Sequence, residues 1–348
     1  MIARDAPPSS PALPPREGGE AGGPVDELTD SGCAGAGRAP PAARRPPTAR
    51  GRFVARAELF LAAVLFGLMA TLARLGSRQE AGFTGPQMTC VRFVIGAAMT
   101  LALFRLRPGT FRPVRRGLLA TRGLLGGLAV LLYFFALSRI PAGEATLLNN
   151  TFPVFATVLS IYTLREPPTI HLALALAVVT IGVFLVVGPG SSLALGVGEL
   201  AAIGSALLGA GAVTSIRALR ATDNAPTIFF AFCLGGLAVS APLSAGPWPT
   251  GPAIWAVAAA VGVASFFAQM LMTHAYGALT VPEAALWQQL TPIASFSWAL
   301  ALLGERVSGV AALGVVLGAA GVAYGSALGH RAHPGAPRKS PVEPVEPA

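Results

Sequence analysis

The sequence is poor in charge. Only 41 of its 348 residues are Asp, Glu, Lys or Arg, 12% where a soluble domain averages about 25%. Twelve of them lie in residues 1–50 and five beyond His330, which leaves 24 for the 280 residues between. So few charges cannot cover a water-soluble fold. A soluble enzyme, a nucleic-acid reader and, for the body of the chain, an intrinsically disordered protein are excluded. The net charge of +9 does not point to nucleic acid here, because the Arg residues sit between apolar runs and read as a topology signal. Acidic residues are scarcest, with eight in the body, and Asp223 is the one Asp among them, so an aspartyl dyad is excluded. Three cysteines, Cys33, Cys90 and Cys233, lack CxxC or Cys/His spacing and read as packing residues, not as a disulfide framework or zinc site. HExxH and GxxxxGK[ST] are both missing, which argues against a zinc hydrolase and an ATP-driven pump. No metal and no cofactor is expected. Period-2 alternation is absent, against a β-barrel.

Hydrophobic residues make up 53% of the chain and fall in ten apolar segments. They lie near 58–76, 88–104, 117–137, 143–163, 170–188, 198–217, 226–244, 253–275, 282–303 and 307–327. Each has roughly the 19–23 residues that cross about 30 Å of hydrocarbon at 1.5 Å per residue. The expected fold is an all-α integral membrane protein of ten transmembrane helices. Residues 1–55, rich in Pro, Gly and Arg, read as a disordered tail with no signal-peptide h-region, and residues 329–348 as a second such tail. Thirteen basic residues, from Arg52 to Lys339, flank one side of the expected spans, against Arg74, Arg78, Arg139 and Arg306 on the other. The positive-inside rule then predicts an inner-membrane protein with both termini cytoplasmic.

Sliding the chain against itself by 139 positions superposes Glu144 on Glu283, Pro153 on Pro292, Glu166 on Glu305, Phe93 on Phe232 and Gly182 on Gly321. Two of these pairs use four of the eight acidic residues in the body. The reading is two repeats, 56–190 and 196–328. Five helices per repeat is an odd number, so the second copy enters the membrane from the opposite side. Inverted repeats of this kind let one central site face each side in turn.

These residues carry a family resemblance. The stretch Pro-Ala-Gly-Glu-Ala-Thr-Leu-Leu-Asn-Asn-Thr-Phe-Pro-Val-Phe at 141–155, then Leu164-Arg165-Glu166, is echoed by Val-Pro-Glu-Ala-Ala-Leu-Trp-Gln-Gln-Leu-Thr-Pro at 281–292 and Gly304-Glu305-Arg306. With Arg92-Phe93, they resemble the ten-helix EamA-type permeases of the drug/metabolite transporter superfamily over residues 56–328. The resemblance implies movement of a small organic solute through a central cavity, with export favoured over uptake.

In hydrocarbon a polar side chain needs a partner or a wet cavity, so each is a candidate. Asn149 and Asn150 fall on Gln288 and Gln289 under the repeat, and four carboxamides across a pseudo-twofold axis could bind a zwitterion or heterocycle. Interhelical hydrogen bonding is the plainer alternative. Gln269 and the rings of Trp287 and Tyr133 complete the expected substrate-binding set. Pro153 and Pro292 each remove the backbone hydrogen bond to the carbonyl four residues back, at Asn149 and Gln288, and should kink their helices there. Glu144 and Glu283 stand at helix N-termini, either complementing the dipole or serving as gates or proton acceptors. Glu166 and Glu305 stand beside Arg165 and Arg306 as interfacial ion pairs or loop anchors. Arg92 is structural, a gate or a carboxylate clamp, whereas Arg122 is expected to snorkel to the cytoplasmic face. His274, read as a membrane-core histidine, is a helix-packing partner or a group that couples protons. Gly314, Gly318, Gly321 and Gly325 allow close helix approach within the chain or in a homodimer.

The expected function is a secondary transporter whose partners are a small-molecule substrate and the lipid bilayer. An intramembrane enzyme lacks a convincing constellation, Ser205 with His274 being the only pair on paper. A lipid or lipid-linked sugar flippase is the alternative.

Overall fold

Backbone in hydrocarbon must close its own hydrogen bonds, and every regular element among the described residues is helical. The structure, a computed structural model, describes residues 48–77, 82–137, 139, 148–187, 196–303 and 309–328. Cys33, Glu144, Glu305, Arg306 and both expected tails apart from residues 48–55 lie outside the described residues. The helices are α1 (Ala49–Ser77), α2 (Gly85–Leu106), α3 (Arg116–Leu137), α4 (Phe152–Leu164), α5 (Ile170–Val187), α6 (Val197–Leu219), α7 (Ala225–Ser240), α8 (Pro252–Ala275), α9 (Val281–Gln288), α10 (Leu290–Leu303) and α11 (Gly309–Leu328). A 3₁₀ turn, Ala241–Leu243, extends α7.

Among the described residues six helices are long and apolar enough to cross a membrane: α1 over Ala49–Ala73, α2, α3 over Arg116–Ala136, α6, α7 with its extension to Leu243, and α8. Shorter apolar helices cover Phe152–Thr163, Ile170–Leu185 and Ala312–Leu328. The outward surface is apolar, with Val94, Leu101, Leu174, Ile181, Leu207 and Val316 all exposed. That suits lipid as the surrounding medium.

The expected tail boundary at residue 55 is corrected. Residues 49–55 are already helical, because the Thr48 hydroxyl caps the start by accepting from Gly51 N at 3.1 Å. The helix therefore begins about two turns before Arg56 and Glu58.

The principal packing pairs are α5 with α11, α3 with α6, α1 with α8, α3 with α7, α2 with α8 and α2 with α7. A shift of 139 residues exchanges α1·α8 with α6·α3 and α3·α7 with α8·α2, and it maps α5·α11 and α2·α7 onto themselves. Helix α4 rests on α6, as α9 and α10 rest on α1. The α5–α11 seam is close because it is built on glycine. A Cβ at Gly182 would stand 2.7 Å from Gly318 N and 2.8 Å from the Gly314 carbonyl, and one at Gly321 would meet Val179. The glycine stripe of α11 therefore covers α5 of its own chain.

Candidate functional site

A proline nitrogen has no hydrogen to donate, so the carbonyl four residues back is freed. Pro153 and Pro292 each lie just past a break in the helix. In the first half Leu148 and Asn149 are helical, the chain turns at Asn150 and Thr151, and α4 begins at Phe152 with Pro153 next. In the second half α9 ends at Gln288, Gln289 forms the turn, and α10 begins at Leu290, two residues before Pro292. Positions 150 and 289 are equivalent under the repeat.

The amides at these breaks are buried or half-buried, and their bonds run to three different helices. Asn149 Oδ1 stands 2.8 Å from the Ser205 hydroxyl of α6, which also lies 2.7 Å from the Ala129 carbonyl of α3. Gln288 Nε2 donates to the Tyr276 hydroxyl at the end of α8. Gln289, fully buried, donates from Nε2 to Thr180 Oγ1 of α5 at 3.2 Å. Asn150 is buried within the first break. The expected site residues Asn149, Gln288 and Gln289 thus meet Ser205, Tyr276 and Thr180, none of which was singled out as an amide partner. Tyr133 is half-buried beside Phe134. Trp287 packs against the cores around both Tyr276 and Leu286.

Several buried polar atoms lack a hydrogen-bond partner among the described residues: Gln269 Oε1, Trp287 Nε1, Gln289 Oε1 and Arg122 Nε. Native interiors leave few such atoms.

Charged residues gather where α1, α8 and α9 meet. Arg56 donates through Nε and Nη2 to Glu283 Oε1, at 2.9 and 2.6 Å. Glu283 is also the first-turn acid of α9, whose Thr280 cap accepts from Glu283 N. Glu166, just past α4, takes Arg217 Nε and Nη2 on Oε1, both at 2.9 Å, and Val281 N on Oε2 at 3.0 Å. Arg217 Nη1 goes on to the carbonyls of Tyr276 and Gly277. One carboxylate thereby ties the end of α4 to the end of α6 and the start of α9.

Three expectations are corrected. Glu166 pairs with Arg217, not with adjacent Arg165, because Arg165 takes a left-handed φ of 54° and turns out to the surface. His274 does not lie inside the helix bundle; it sits at the last turn of α8, its side chain 59% exposed, with Nδ1 2.9 Å from Glu58 Oε2. Arg122 does not snorkel. It is buried, its guanidinium carbon lies 4.1 Å over the Phe232 ring, and it runs along its own helix past Gly126, where a Cβ would overlap Nη1. Arg92 is likewise buried, its guanidinium carbon 5.2 Å from the Phe93 ring centre and 5.9 Å from that of Phe232. Among the described residues no three His, Cys, Asp or Glu side chains gather as metal ligands.

Comparison with known proteins agrees with this architecture. The EamA-like transporter family matches the chain twice, at residues 57–188 and 196–326. The pseudopaline exporter CntI of Pseudomonas aeruginosa is 27% identical over 261 residues, 74% of this chain and 90% of the exporter. An uncharacterized transporter of Helicobacter pylori is 23% identical over 180 residues, 51% of this chain and 59% of that protein. A solved crystal structure, 20% identical, superposes with a TM-score of 0.69 over 80% of this chain and 98% of its own, which is a likeness of fold.

Proposed function

The chain belongs to the EamA-like transporter family and is an integral membrane protein, and from that premise we propose that it is a secondary transporter moving a small organic solute across the cytoplasmic membrane by alternating access. In this reading ten helices cross the membrane as two inverted five-helix repeats, 56–190 and 196–328, and both termini are cytoplasmic. The observation that carries it is the pair of helix breaks at Asn150–Thr151 and Gln289, at equivalent positions of the two halves. Discontinuous helices facing each other across a repeat interface expose backbone and side-chain polarity where a solute can sit, and they bend where a rocking motion needs it.

Export is the favoured direction, on the likeness to a protein named as an exporter. The ion pairs at the α1, α4, α6, α8 and α9 ends each join one half to the other. In this topology they close the cytoplasmic mouth, and the breaks lie beyond them.

The test is thermal melting of the purified chain against amino acids, nucleosides, vitamins and cationic drugs, followed by flux in vesicles. A ligand of the native state raises the melting temperature by mass action. A solute that both stabilises the protein and crosses the vesicle membrane in its presence supports transport. Stabilisation by lipids alone, with no solute flux, would replace it with the flippase reading. Orientation is read by a membrane-impermeant thiol reagent on right-side-out cells, which should label Trp248→Cys and not Arg107→Cys.

A further inference from the structure

Arg92 on α2 and Arg122 on α3 meet at α7, and both guanidinium carbons lie near the one Phe232 ring. Distances of 5.9 and 4.1 Å to a common centre place the two cations at most about 10 Å apart, close enough to repel in a medium of low dielectric. Both side chains are more than nine-tenths buried. A buried charge is normally paired, so the counter-charge has to be found.

None of the described acidic residues supplies it. Glu58 faces His274, Glu166 holds Arg217, and Glu283 holds Arg56. Asp223 accepts from the backbone of Val114 and Arg115, and Glu199 stands in the first turn of α6. Aromatic rings face both guanidiniums, but a ring face attracts a cation without neutralising it. Arg122 Nε is buried with no acceptor among the described residues.

The repeat carries these charges in one half only. At the equivalent positions of the second half, 139 residues on, the chain has Ala231 and Val261. Phe93 and Phe232, repeat mates in edge contact at 4.9 Å, are kept. The cations are an addition to one half only, and Gly126 keeps open the space that Arg122 Nη1 occupies.

We infer that Arg92 and Arg122 form an anion subsite, so that the transported solute is an organic acid, carrying one carboxylate for each guanidinium. The solute is the missing counter-charge. Arg offers a planar fork of donors that matches a carboxylate, and binding removes the repulsion between the two cations as the site fills. This inference rests on the transport reading for the word "transported"; the subsite itself does not.

The purified full-length protein is melted with succinate, glutarate and citrate, and with succinamide and putrescine as uncharged and dicationic controls. The acids should raise the melting temperature and the controls should not. Arg92→Gln and Arg122→Gln should each raise the half-saturating concentration at least tenfold, with Arg→Lys between the two. Without ligand the Gln variants should melt at or above the wild-type temperature, because an uncompensated buried charge has been removed. Absence of a shift with all three acids in the wild type overturns the subsite, as does a shift that survives both Gln variants. A lower ligand-free melting temperature with the acid response intact also overturns it, by making the arginines structural. Acid binding that depends on both arginines, without acid flux in vesicles, keeps the subsite and sinks transport. Arginine-independent flux of an uncharged solute does the reverse.

Discussion

Replacing Glu166 by Gln tests how the two halves are held together at the charged end. The carboxylate receives two charge-assisted bonds from Arg217 and one from Val281 N, and both partners of the ion pair are largely buried, with side chains 17% and 18% exposed. Gln keeps one acceptor, loses the charge, and presents an NH₂ to a donor already in place. Hydrogen bonds to charged groups contribute about 1.5–3 kcal/mol each, and breaking a fully buried ion pair costs about 3–5 kcal/mol. Partial exposure lets water recover some of this, so a net cost of about 2 kcal/mol is expected for the closed end, or about a 30-fold shift toward its open form. The assay is labelling of Leu279→Cys, in a background with Cys33, Cys90 and Cys233 replaced, by a membrane-impermeant thiol reagent in inside-out vesicles. Leu279 is fully buried in the segment between Tyr276 and Val281. Its labelling should quicken by an order of magnitude or more when Glu166→Gln is added, and Arg217→Met should do the same without adding to it. An unchanged rate in both variants, at normal protein levels, would refute the idea that this carboxylate fastens the halves.

Arg56→Gln leaves Glu283 largely buried without its cation, and should lower the melting temperature by a few degrees, corresponding to about 1–2 kcal/mol. The double variant with Glu283→Gln should recover part of that loss. Asn150→Ala and Gln289→Ala should each lower solute flux in vesicles with normal membrane levels, and unchanged flux in both would remove the amides from the site. Gln289→Leu should cost little stability, because it removes an unpartnered Oε1 along with one bond to Thr180, yet it should still abolish the flux that Gln289 supports. Gly182→Leu places a side chain against the Gly314 and Gly318 backbone and should destabilise by about 1–3 kcal/mol or more, read as a lower melting temperature.

Helix positions were legible because hydrocarbon sets a length and Arg, Pro and Gly punctuate it. The run read at 88–104 is α2 at Gly85–Leu106, and the one at 253–275 is α8 at Pro252–Ala275. The effect of a missing N–H is local, and α4 and α10 begin one and two residues before Pro153 and Pro292. Partners distant in sequence were not legible. Glu166 has Arg165 beside it, but the cation it binds is 51 positions away, on α6. The path of Arg122 depends on an opening at Gly126 and a ring from α7, and neither is marked by periodicity. His274 looked internal because the apolar run of α8 continues to Ala275, although the helix has by then reached the charged end.

The glycine seam between α5 and α11 sets a limit on how the molecule can move. Each of these helices closes its own half, and they meet backbone to backbone, Gly182 against Gly314 and Gly318. At that crossing the nearest atoms are backbone, so no rotamer change parts the helices there, while His171 and Tyr324 bond across the same helix pair at 2.8 Å. The pair can turn about its line of contact. Under the alternating-access reading proposed above, the two terminal helices would serve as a common axle for the two halves, with bending at positions 150 and 289 setting the swing.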